Sequence, residues 1–134
     1  MDWTSFFITV VAAGLAASFT DWLFMGVLFH EKYKAYPEIW RKAPGSPDTT
    51  LILLSTALGL ITAAVFAALC WRFQLHTVTA TLKLALALSA AGPLPLIVTN
   101  ALWIKFHPAT ALSHALGWLA RLCVTAIAVT LLLK

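Results

Sequence analysis

SHALGWLARLCV, Ser113–Val124, decides how this chain folds. It lies in a run apolar enough to cross a bilayer, yet it carries an imidazole at His114 and a guanidinium at Arg121. Composition settles the class to which such a stretch belongs. The chain has 134 residues, of which 61% are hydrophobic and only 10% charged, with a mean hydropathy of +0.90. Soluble domains carry about 25% charged residues, so this chain cannot cover a water-exposed surface of its size. Its long apolar runs mark a polytopic membrane protein. The net charge of +4 sits mostly in one loop and at helix ends. It reads as membrane-surface charge rather than a nucleic-acid footprint.

Working outward from that stretch, four spans are predicted, at about residues 4–29, 49–71, 77–106 and 109–133 of one transmembrane domain, 1–134. Each reaches the ~20 residues that cross about 30 Å of hydrocarbon. The first opens MDWTSFF, without the positive charge of a secretory leader, and is expected to be a retained helix. The segment HEKYKAYPEIWRKAPGSPD is a loop, punctuated by Pro37, Pro44, Gly45 and Pro47, with one short interfacial helix around Tyr36 to Lys42. Ser46 or Asp48 is expected to cap the second span, with Pro47 near its start. RFQLH is a short turn, and FHPAT places Pro108 near N1 of the last span behind His107, a weak cap. The expected fold is all-α, an integral membrane four-helix bundle.

Pro93 and Pro95, in AAGPLPL, remove two backbone donors and restrict the residues before them. The third helix is therefore predicted to be proline-broken. Lys32, Lys34, Arg41, Lys42 and Lys105 fall on one face and Arg72, Lys83 and Lys134 on the other, five against three. Basic residues favour the cytoplasm, so the long loop is expected inside and both termini outside. Trp3, Trp40, Trp71 and Trp103 fall near the predicted interfaces. The echo between TDWLFMGVLFH and TNALWIKFHP is too short to establish a repeat. Cys70 and Cys123 are expected at different depths, too far apart for the ~7 Å Cα spacing that a disulfide requires.

The buried polar residues share a layer. At 1.5 Å per residue from the loop side, Asp21 lies roughly 12 Å deep, Arg121 roughly 18 Å, Asn100 about 9 Å and His114 about 8 Å. The proline break has a depth near that of Arg121. His114, Gly117, Trp118, Arg121 and Thr125 fall on one stripe of the last helix, and Gly14, Ala17, Ser18 and Asp21 on one of the first. Ser89 and Asn100 are eleven residues apart on the third span, and Ser55, Gly59 and Thr62 share a face of the second. An unpaired charge at the bilayer centre costs at least about 2.5–3.5 kcal/mol. Asp21 and Arg121 are the two ionic groups deep in the spans, with opposite signs, so they are predicted to pair. Carbonyls freed at Pro93 are expected to take remaining guanidinium protons, and His114 to lie near a carboxylate and titrate close to neutral pH.

The candidate ligand-binding residues are thus Asp21, Asn100, His114, Trp118 and Arg121. No catalytic residue is assigned. HEKYK is not HExxH, and no phosphate loop, nucleophile triad or catalytic carboxylate pair is present. A metal shared by His30, His107 and His114 is conceivable, but neither metal nor cofactor is expected. Three roles follow: binding or transport of a small solute or proton, a structural or accessory subunit of a membrane complex, and a membrane-embedded enzyme using His114 or Asp21 as base on a lipid-soluble substrate. The expected partners are the bilayer and either a second copy or a larger membrane complex, and not nucleic acid.

At TDWLFMGVLFHEKYKAYPEIWR and NALWIKFHPATALSHALGWLARLCV the chain resembles a family of small bacterial membrane proteins, domain of unknown function 1761. The likeness rests on Trp22, Leu28-Phe29, Trp40, Asn100 and His114. The usual GxxWY of the first helix is replaced by DWLFMG. The resemblance implies a four-span protein of the bacterial inner membrane and brings no known reaction with it. Small multidrug transporters are similar in size and carry an acid in the first helix, but their other motifs are missing. Fluoride channels share the layout without its glycine signature.

Overall fold

The computed structural model describes residues 2–39 and 49–133. The described chain is all helical, with four helices long and apolar enough to cross a membrane. The first comprises α1 (Trp3–Asp21) and a π-helical continuation, Trp22–Leu28. Two 3-10 turns follow, His30–Lys34 and Pro37–Ile39. The second is α2 (Thr49–Arg72), the third is α3 (Val78–Ala91) with α4 (Pro93–Trp103), and the last is α5 (Pro108–Leu132). Among the described residues, thirty with large apolar side chains are exposed, an outer surface suited to hydrocarbon rather than water.

Local chemistry explains the ends. Asp2 caps α1, its carboxylate accepting from the amides of Thr4 (3.1 Å) and Ser5 (3.0 Å). Gln74 turns the chain at φ 54°, and Thr77 caps α3 by accepting from Ala80. His107 caps α5 through Nδ1, which accepts from the amide of Ala109 at 3.1 Å, with Pro108 at N1. The expected capping of α2 by Ser46 or Asp48, the interfacial helix beyond Ile39 and Trp40 of the aromatic belt lie outside the described residues.

The third helix breaks as the prolines dictate. Gly92, at φ −119° and ψ −85°, ends α3, and Pro93 starts α4 at a position where a missing amide costs nothing. The helix ends at Trp103, short of Phe106, because Ile104 is extended.

α5 is the centre of the bundle, packed on α1, α2, α3 and α4. Ser113, Gly117, Arg121, Thr125 and Ala126 are all buried on it. The core joins Val10 and Ala13 of α1, Ala63, Phe66 and Ala67 of α2, Ala85 of α3, and Leu122, Ala126 and Val129 of α5. Hydroxyls are paired within this interior: Thr81 on α3 lies 2.9 Å from Thr130 on α5, and Thr125 donates to the carbonyl of Arg121. Close packing of α1 on α2 depends on Gly14, which sits against Leu60. The buried face of α2 is Gly59, Ala63, Phe66, Ala67 and Cys70. Ser55 is exposed and bonds its own helix at Ile52, so the expected stripe through Ser55 is corrected. Small residues one turn further along set the helix contact instead.

Candidate functional site

Arg121 is the most buried charge among the described residues. Its side chain is 9% exposed and its Nη2 donates to Oδ2 of Asp21, whose side chain is 21% exposed. The guanidinium also stacks on the indole of Trp118, 4.7 Å from the ring centroid. Gly59 makes room for it on α2: a Cβ there would lie 4.0 Å from both terminal nitrogens and 3.8 Å from the Ser18 hydroxyl. One acid, one aromatic face and two small residues thus hold the cation between three helices. Nε is buried without a hydrogen bond among the described residues.

The carbonyls freed at the proline break do not serve Arg121, contrary to expectation. Trp118 explains why: it presents its ring to the guanidinium and also lines the cavities that Pro93 borders.

The π-helical segment was not visible in the sequence. Widening the helix from Trp22 gives i→i+5 bonding, so Phe29 donates to the carbonyl of Phe24 at 3.0 Å. The same carbonyl accepts from Ser113 at 3.3 Å. Gly117 allows that approach, since a Cβ there would lie 3.8 Å from both Phe24 and Met25. Tyr33 reaches over from the 3-10 turn and donates to the Ser113 hydroxyl at 3.2 Å. Burial raises the Tyr33 pKa, and the Ser113 hydrogen bond partly opposes this. Glu31, on the same turn, is held below its ordinary pKa by the hydrogen bond and charge of Lys34.

The stripe expected on the last helix divides in two. Ser113, Gly117, Arg121 and Thr125 form one line at four-residue steps, and all are buried. Thr110, His114 and Trp118 form the adjacent line and face a cavity of about 360 Å³. Asn100 joins them from α4, and Ile39, Leu96, Ile97, Ile104 and Phe106 complete the wall. Asn100 is therefore not a core residue as predicted: it is exposed and borders open space. Ser89 borders a different cavity, with its hydroxyl buried and without a partner among the described residues. The eleven-residue spacing assumed an unbroken helix, and Gly92 resets the face.

The His114 ring meets the edge of Tyr33, centroids 5.6 Å apart. Neither hydrogen bond nor ion pair links it to a carboxylate among the described residues, because Arg121 occupies Asp21. The expected acid–histidine couple is thus corrected. Thr110 donates to the carbonyl of Lys32 at 3.4 Å. Cys70 and Cys123 are free thiols. No group of three or more His, Cys, Asp or Glu side chains placed to hold a metal occurs among the described residues.

Of the five candidates, the structure brings Asp21, Trp118 and Arg121 together and places Asn100 and His114 with Trp118 around the cavity. Trp118 belongs to both groups. Tyr33, Thr110 and Ser113 were missed. The i, i+4, i+8 spacing of Thr110, His114 and Trp118 was a legible signal for Thr110, whereas Tyr33 sits in a loop where periodicity says nothing.

The model of a family described as protein of unknown function (DUF1761) matches residues 8–130, nearly the whole helical region. No curated protein and no solved structure matches the chain.

Proposed function

We propose that this chain, which belongs to the DUF1761 family of proteins of unknown function, binds a small lipid-soluble molecule in the cavity between α4 and the first turns of α5. One observation carries this: Asn100 and His114 line the cavity and make no side-chain hydrogen bond among the described residues. Polar side chains facing an apolar pocket normally fix a ligand's orientation, and a volume of about 360 Å³ falls in the range of such sites. Six of the nine wall residues are apolar, so the ligand is mostly apolar as well. Asp21 and Arg121 serve as scaffold. They neutralise each other and hold Trp118 in place. A proton carrier would use a carboxylate without such a fixed cationic partner, so solute binding is favoured over proton transfer.

The test is a thermal-shift and native mass spectrometry screen of neutral lipid-soluble molecules on protein in nanodiscs. Two hydrogen bonds, each worth about 0.5–1.5 kcal/mol, make the Asn100→Leu/His114→Leu variant roughly fivefold or more weaker for any hit. Ser55→Ala, on the exposed side of α2, leaves affinity unchanged. A panel in which no molecule prefers the parent over the double variant overturns the proposal.

The membrane setting is proposed to be the bacterial inner membrane, with the long loop cytoplasmic and both termini outside. The excess of Lys and Arg between Glu31 and Asp48 supports it. Asp2→Cys in a background with Cys70 and Cys123 replaced by serine is expected to react with an impermeant maleimide added to spheroplasts. Labelling only after lysis reverses the orientation.

A further inference from the structure

We infer that the ligand is an uncharged single-chain amphiphile, with its head at Asn100 and His114 and its tail led past Trp118 into the groove between α2 and the α3–α4 break. This rests on the binding role proposed above and names the ligand class.

The head is assigned from what surrounds it. The hydrogen-bonding side chains of the wall are Asn100, Thr110, His114 and the indole of Trp118, all uncharged donors or acceptors or a lone imidazole, and no Asp, Glu, Lys or Arg lines the cavity among the described residues. A carboxylate or ammonium head would lose its water with no fixed charge opposite it, at a cost that favours uncharged heads. A hydroxyl, ketone or amide head needs only the hydrogen bonds that Asn100 and His114 have free.

The tail is assigned from continuity. α2 packs on α1 and α5 and leaves a groove of about 400 Å³ against Leu88, Gly92 and Pro93. Its walls are almost wholly apolar, including Val65, Phe66 and Leu69, and its floor is Trp118 and Leu122 of α5. Thr110, His114, Trp118 and Leu122 are successive four-residue steps on one face of α5, each about 6 Å further from the loop side. The first three line the polar cavity and the last two the groove. Polar cavity and apolar groove are therefore consecutive along a single helix face, with the Trp118 ring at their junction. A molecule polar at one end and apolar along its length matches that order. The third cavity at Trp118, about 440 Å³, lies between Leu86–Leu94 of the broken helix and Ala115, Leu116 and Leu119 of α5, residues off the Thr110–His114–Trp118–Leu122 line, so it does not continue that line.

Dodecan-1-ol carrying a diazirine at the end of its chain is the probe, added to the protein in lipid nanodiscs and photolysed. The expected result is saturable labelling of residues 61–69 or of Leu122, competed by unlabelled dodecan-1-ol and at least fivefold less by dodecanoate. Asn100→Leu/His114→Leu reduces the saturable fraction at least fivefold. Val65→Trp, which fills the groove, removes labelling of α2 while hexan-1-ol still raises the melting temperature. Far-ultraviolet circular dichroism establishes that each variant is folded before it is scored. Labelling of α2 that persists in the double variant is ordinary annular lipid and overturns the inference. Saturable labelling confined to α4 and the start of α5 overturns the tail path and leaves the binding role standing. Absence of any saturable labelling overturns the ligand class, and the binding role then stands or falls on the panel of neutral molecules.

Discussion

Asp21→Asn alone, or Arg121→Gln alone, is expected to lower stability in detergent by about 3–5 kcal/mol, and the double change by less than either single one. The asymmetry follows from burial. With Asp21 gone, Arg121 keeps a charge that is only 9% exposed and has no other acid to meet among the described residues. Stranding one member of a buried pair typically costs this much, whereas removing both takes away the desolvation penalty along with the attraction. The indole of Trp118 offsets part of the loss, because cation–π contact survives in Asp21→Asn. Arg121→Gln has no such relief for Asp21, but that carboxylate is more open, at 21% exposure. The two singles should therefore be comparable, and a double-mutant cycle should return a coupling well above 1 kcal/mol. Single variants as stable as the parent would show that the pair contributes nothing to the fold. Because the guanidinium braces Trp118, Arg121→Gln should also weaken any ligand found in the adjacent cavity, even though Arg121 does not line it, whereas Asp21→Asn keeps the brace.

Much of this arrangement was legible in the sequence because it follows from single residues in an otherwise apolar setting. The four spans are long enough that hydropathy alone finds them, and Gly92–Pro95 breaks the third through amides that proline lacks. Asp21 and Arg121 point to each other by sign and depth. What hydropathy misses is facing. In water, the polar side of a helix reveals its exposed face. In α1 and α2 both faces are apolar, one toward lipid and one toward the core, so the pattern carries almost no directional signal. That is why the pattern puts Ser55 inwards and carries Asn100 across the Gly92 turn on a face that the break removes. The π-helical turn escapes for the same reason: WLFMGVL is apolar whether wound at 3.6 or 4.4 residues per turn, and it is selected by Phe24 and Ser113 bonding across helices. Sequence shows which residues are costly in a membrane. Tertiary contacts decide which way they face.

The same contacts make Gly14 the most sensitive small residue of α1. A Cβ at Gly14 meets Leu60 of α2 at once, lying 3.2 Å from its Cγ and 3.4 Å from its Cα. The collision is with the Cδ2 end of Leu60, which a rotamer change relieves, while the Leu60 Cα stays at ordinary contact distance. Gly14→Ala therefore sets two opposing effects against each other. Alanine favours the helix by roughly 1 kcal/mol over glycine, and crowding takes back a similar amount, so the net change is small. Gly14→Leu keeps the propensity gain but adds three more carbons at a closed interface. Overpacking of this kind costs about 1–3 kcal/mol, occasionally more, and here it pries α2 from α1 next to the seat that Gly59 gives the Arg121 guanidinium. The expected signature is conditional. Leu60→Ala, which clears the space, should recover most of the Gly14→Leu loss, and unfolding in a detergent–denaturant series on the four members of the cycle measures that coupling. Equal penalties for Gly14→Leu with and without Leu60 would mean that α1 and α2 do not approach at this point. A penalty relieved by Leu60→Ala fixes the helix contact that presents Gly59 and Ser18 to the buried cation.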